Sequence, residues 1–112
     1  MLEVTEQKLG AITVLAPQGP LVQDDADRFK DRAINVFVRS LGRCVVDASK
    51  LAFVDSKGLE ALMDINDHVA QSGQALKLCA VNKTVREVLT LTELASTFEQ
   101  YEDVTTAVRS FL

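Results

Sequence analysis

Short apolar runs alternate along this chain with stripes of apolar residues spaced three and four apart, and that alternation leaves few folds open. Leu2 and Val4 alternate with polar neighbours, Leu9-Gly10 gives a turn, and Ala11-Ile12-Thr13-Val14-Leu15-Ala16 follows. The pair predicts a hairpin whose second strand ends at Pro17 and Gly19-Pro20. Ala26, Phe29, Ala33, Val36 and Phe37 then form a helical stripe. Asp24 or Asp25 is placed to cap that helix, Arg39 suits its end, and Gly42 closes it. Cys44-Val45-Val46 reads as a buried strand that stops at Asp47. A compact loop anchored by Leu51 and Phe53-Val54 leads into a second helix carrying Leu59, Leu62, Met63, Asn66, Val69 and Ala70, which stops at Ser72-Gly73. Residues 75–81 are apolar enough for an interior strand. Asn82 caps a third helix with Val85, Val88, Leu89 and Thr92 inward, residues 97–101 make a short edge strand, and Asp103 caps a last helix. Val104, Ala107, Val108, Phe111 and Leu112 form the apolar face of that last helix.

The expected order is therefore β-β-α-β-α-β-α-β-α, an α/β domain with a mostly parallel sheet begun by one hairpin. At 112 residues the chain suits a single domain over 1–112, its core shared by Phe29, Cys44, Val46 and Leu78.

Charge and composition exclude several functions. The net charge is −4 and Lys/Arg residues are not clustered, which argues against direct nucleic-acid binding. Aromatic residues make up only 5%, with no Trp, so no stacking surface for bases or sugars is expected. The amino terminus lacks signal-peptide architecture and no apolar run has the length of a membrane span, so a cytoplasmic location without membrane insertion is expected. Cys44 and Cys79 read as free buried thiols, and with a single His no metal site or cofactor is implied.

Catalysis finds little purchase. Val54-Asp55-Ser56-Lys57-Gly58 lacks the first glycine of a nucleophile elbow, and the one histidine, His68, lies twelve residues further along the same helix, about 18 Å at helical rise. It reads as a solvated helix-surface residue. Asp47 and Asp55 flank one loop and form the alternative, a small enzyme using paired carboxylates; the plainer reading is that Asp47 accepts loop N–H groups and Asp55 caps the helix. Lys57-Gly58 resembles the end of a phosphate-binding loop, but the upstream glycines are absent. What remains is Ser56, a small hydroxyl at a positive helix end beside an Asp, in a position that also suits an N-cap.

The whole run Asp47-x-Ser49-x-Leu51-x-Phe53-Val54-Asp55-Ser56-x-Gly58-Leu59 resembles the signature of STAS domains, the sulfate transporter and anti-sigma factor antagonist family. The resemblance implies a mixed four- to five-stranded sheet with about four helices, largely on one side. It implies an anti-sigma factor antagonist, a non-enzyme, in which Ser56 is the phosphorylation site. The implied partners are an anti-sigma factor with serine kinase activity and a serine phosphatase that resets the switch. The partner-binding surface would include Asp24, Asp55, Ser56, Lys57 and Gly58, with Gly58 keeping the first helical turn bare for a partner's approach. Two departures fall on that surface: Lys57 stands where family members often carry Ser or Thr, and Gly19-Pro20-Leu21-Val22-Gln23-Asp24-Asp25 replaces a Gly-Glu-Leu-Asp run. The alternative within the family is a constitutive subunit of a transporter or lipid-transport complex, with Ser56 only a cap.

Overall fold

The computed structural model describes residues 1–112, and its second strand is longer than the sequence predicts. The elements are β1 (Glu3–Leu9), β2 (Ile12–Leu21), α1 (Gln23–Arg39), β3 (Cys44–Asp47), β4 (Leu51–Val54), α2 (Ser56–Ala70), β5 (Lys77–Cys79), α3 (Lys83–Leu91), β6 (Glu99–Tyr101) and α4 (Val104–Arg109). β1 and β2 form the expected antiparallel hairpin, and every other pairing is parallel. The sheet runs β1-β2-β3-β5-β6, with β4 paired to β2.

Pro17 and Gly19-Pro20 do not end β2, contrary to expectation. β2 pairs with β3 through Thr13, Val14 and Leu15, and with β4 from Gly19 onward. Pro17 falls between the two pairings, and Pro20 lies at a register shift, so neither position loses a ladder bond for want of an N–H. The overshoot of β2 makes the expected loop 51–54 into a strand, and the sheet has six strands rather than four or five. Leu51 and Val54 are buried while Ala52 and Phe53 are exposed, a pattern without the period of two that marks a strand in sequence.

Alternation along β3 divides the interior in two. Cys44 and Val46 join a cluster of 22 buried residues under α1, α2 and α3, which also holds Phe29 and Leu78 as expected. Val45 points the other way, to a cluster of four with Ile12, Cys79 and Ala107 under α4. Cys44 and Cys79 are both free and lie on opposite faces of the sheet, where no disulfide can join them. Burial pushes both thiols up to about 12.

The α1 stripe is buried as the spacing predicts, through Ala26, Phe29, Ala33, Val36 and Phe37. The buried face of α2 is turned slightly from the expected one. It comprises Gly58, Ala61, Leu62, Ile65 and Val69, leaving Met63 exposed. His68 is half-buried rather than solvated, its ring edge-on to Phe37 at 6.1 Å. No helix is long and apolar enough to cross a membrane.

Candidate functional site at the junction of two helix starts

β4 delivers the chain to Asp55 in an extended conformation, and α2 begins at the next residue. Asp55 is the N-cap: its Oδ1 accepts the Gly58 N–H at 2.8 Å. Asp55 thus occupies the position that the sequence leaves open to Ser56. Ser56 is the first helical residue, it is exposed, and its hydroxyl takes no part in the hydrogen bonds that hold the junction. Lys57 beside it is exposed as well.

Gly58 is not the bare, open position expected of it. It is buried, facing the end of β2. A Cβ at this residue would fall well inside contact distance of the Leu21 carbonyl oxygen and 2.7 Å from Val54 Cγ1. Close backbone approach, rather than partner access, is what requires glycine here.

The start of α1 meets the same junction. Its N-cap, Val22, contributes no side-chain bond, and neither Asp24 nor Asp25 caps the helix. The chain enters α1 through Gln23 at φ +49°, a left-handed conformation uncommon outside glycine, which places both aspartates inside the first turn. The missing cap comes from 32 residues away, where Asp55 Oδ2 accepts the Gln23 N–H at 3.2 Å. The Asp55 N–H in turn donates to the Leu21 carbonyl at 3.4 Å. Asp25 turns outward from the helix axis, accepting the Leu2 N–H at 3.3 Å and the Arg28 guanidinium at 2.8 Å. Asp24 is exposed in that turn. Asp24, Asp55, Ser56 and Lys57 are thereby gathered around one junction, with Gly58 beneath them.

Two contributors are not legible in the sequence. Gln23 has no motif of its own, and its role follows only from where its N–H points. Phe53, expected as an anchor, is 46% exposed on β4 two residues before Asp55. The near-continuous apolar run around it hides that exposure.

The remaining candidates separate. Asp47 accepts the Ser49 N–H at 3.0 Å, the strand-ending role that its position suggests. An open concavity of about 460 Å³ is lined by Lys83, Arg86, Glu87, Thr90 and Leu91 on α3 and includes neither Asp47, Asp55 nor Ser56. His68 lies near the far end of α2. Neither Asp47 nor His68 is thus placed beside the Ser56 hydroxyl. The Ser56 hydroxyl stands exposed at the positive end of a helix of 15 residues.

A family model described as the STAS domain matches residues 3–107. A candidate anti-sigma factor antagonist from Thermotoga maritima superposes with a TM-score of 0.84 at 22% identity, covering 96% of this chain and 92% of that one. The anti-sigma factor antagonist SpoIIAA, in its unphosphorylated form, gives 0.76 at 14% identity, with 97% and 96% covered. The murine anion transporter Slc26a9 gives 0.74 at 16% identity, with 94% of this chain but only 18% of the transporter covered. No curated protein sequence matches.

Proposed function

This chain belongs to the STAS domain family, and on that premise we propose that it binds an anti-sigma factor as its antagonist and is switched off by phosphorylation of Ser56. The anti-sigma factor itself supplies the serine kinase activity, a serine phosphatase resets the switch, and the work is done in the cytoplasm. The observation that carries this reading is the division of labour at the start of α2. Asp55 has taken the capping role, so the Ser56 hydroxyl is exposed and unengaged. The partner surface comprises Asp24, Asp55, Ser56 and Lys57, with the exposed Phe53 ring as its apolar contact. Gly58 acts beneath that surface, holding α2 on β2.

Phosphorylation would add about 1.5–2 negative charges and three acceptor oxygens. Within the chain, the helix end and Lys57 tolerate that charge. At an interface fitted to a neutral hydroxyl, the same group brings bulk, desolvation and repulsion. About 1.4 kcal/mol of penalty is already a tenfold loss of affinity.

The test compares Ser56→Ala with Ser56→Asp. Ser56→Ala removes no cap, so its melting temperature should match the parent's, and it should bind the anti-sigma factor without accepting phosphate. Ser56→Asp should fold equally well, because a carboxylate complements the helix end, yet bind far more weakly. Equal, parental binding by the two variants would overturn the switch. The match to one segment of a transporter favours a second reading, a constitutive STAS subunit of a transport assembly. Incubation with ATP and the candidate kinase separates the two, since that reading expects no phosphate on Ser56.

A further inference from the structure

The two oxygens of Asp55 answer to different helices. Oδ1 holds the Gly58 N–H of its own helix at 2.8 Å in a partly buried bond. Oδ2 holds the Gln23 N–H of α1 at 3.2 Å in an exposed one. No side chain of α1 caps its start, and Gln23 sits in a left-handed conformation that this bond helps to hold. The turn so held is itself connected onward, because Asp25 accepts the N–H of Leu2, the residue just before β1.

We infer that Asp55 is the coupling residue of the switch: one carboxylate caps α2 and also holds the first turn of α1, so that a charge on Ser56 is read at Gln23, Asp24 and Asp25 as well as at Ser56. This rests on the reading of Ser56 as a phosphate acceptor. The physical steps are short. A phosphate on the residue adjoining Asp55 repels its carboxylate across a few ångströms. Of the two bonds, the one to Gly58 is shorter, less exposed and local to the helix, and it persists. The longer, exposed bond to Gln23 gives way, and the first amide of α1 loses its side-chain acceptor. The partner surface then changes on two elements, although the sheet and the core remain as they are. Asp55 is a positioning residue here, since it acts through the Gln23 amide.

Asparagine separates the two roles. Its side chain retains one acceptor oxygen, and its NH₂ group cannot accept an N–H. Asp55→Asn can cap α2 or hold α1, but not both, and the local geometry favours α2.

The experiment is amide hydrogen exchange resolved by residue on three forms of the full chain: parent, Asp55→Asn, and protein carrying genetically incorporated phosphoserine at 56. Exchange at Gln23 should rise at least several-fold in both altered forms, while exchange at Gly58 and at core amides such as Val46 stays at the parent's rate. A purely structural role for Asp55 would instead raise Gly58 with Gln23 in Asp55→Asn and leave Gln23 unmoved by phosphoserine. Either of those results overturns the inference. Binding to the anti-sigma factor distinguishes the two levels. If phosphoserine 56 abolishes binding while Gln23 stays protected, the coupling is wrong and the switch stands. If Gln23 responds while binding does not, the switch is wrong and the coupling stands.

Discussion

Asp55 and Asp103 follow the same local rule and serve very different regions. Each is an extended N-cap whose Oδ1 accepts the N–H three residues on, at 2.8 Å from Gly58 and 2.7 Å from Thr106. Asp55 starts α2, whose buried side chains belong to the 22-residue cluster, and its second oxygen reaches another helix. Asp103 starts a helix of six residues over a cluster of four, and its backbone bond to Thr106 holds its carboxyl below the usual carboxylate range. The α4 region is fastened largely from the side. Lys77 Nζ lies 5.2 Å from the Tyr101 ring and 4.6 Å from the Phe111 ring, and donates to Glu99, Tyr101 and Ser110. The contrast teaches that a cap's importance is set by what its second oxygen finds. The thick face presents a large packed platform beneath Ser56, and the thin face is held by a small apolar cluster and the polar contacts of Lys77.

The largest expected effect tests the thick face. Val46→Asp would place an unpaired charge in the 22-residue cluster and should abolish the cooperative thermal transition. A parental melting curve would show that the two faces do not differ as described. Next comes the platform itself. Gly58→Ala improves intrinsic helix propensity, yet its Cβ must displace the Leu21 carbonyl, so it should destabilise by about 1–3 kcal/mol in denaturant titration. A gain in stability would mean that α2 can move freely off β2, and the junction would lose its rigidity.

On the thin face, Asp103→Ala should raise hydrogen exchange in α4 while amides of α1 and α2 keep their protection. Spread of that loss to α2 would erase the distinction between the regions. The smallest effect is one of pH. Hydrogen bonds from Tyr101, then Lys77 and its charge, hold Glu99 below its ordinary value of 4.5. A depressed folded-state value contributes stability that is fully present above the unfolded value and disappears as pH falls through the folded one. The parent should therefore lose stability relative to Glu99→Gln below about pH 4.5, with the two variants running parallel from pH 6 to 8. Parallel curves throughout would remove Glu99 from the fastening of this face.

Much of the fold was legible because its signals are local. The stripe on α1, the cap residues Asn82 and Asp103, and the burial of Cys44, Val46, Leu78 and Phe29 each depend on patterns within a few residues. Where the reading failed, a distant partner had intervened. β4 was hidden because it is a strand only where β2 overruns its prolines. Asp24 and Asp25 looked like caps because their positions suit one, but the left-handed turn at Gln23 carries them inside the helix. Ser56 and Asp55 are both capping residues by type, and only the geometry assigns the cap to Asp55.

The sequence by itself determined the order of elements apart from β4, most of the residues that are apolar enough to be inside, and that an Asp-Ser pair stands at the head of the second helix. Those properties follow from side-chain periodicity and short-range hydrogen bonding, which act over one or two turns of chain. Only the tertiary structure decided that Gly58 packs against the Leu21 carbonyl and that Asp55 caps a helix 32 residues before it. Both depend on where β2 ends in space relative to α2. That position is fixed by the pairing of β2 with β4 and by the burial of a shared core, so no window of neighbouring residues contains it.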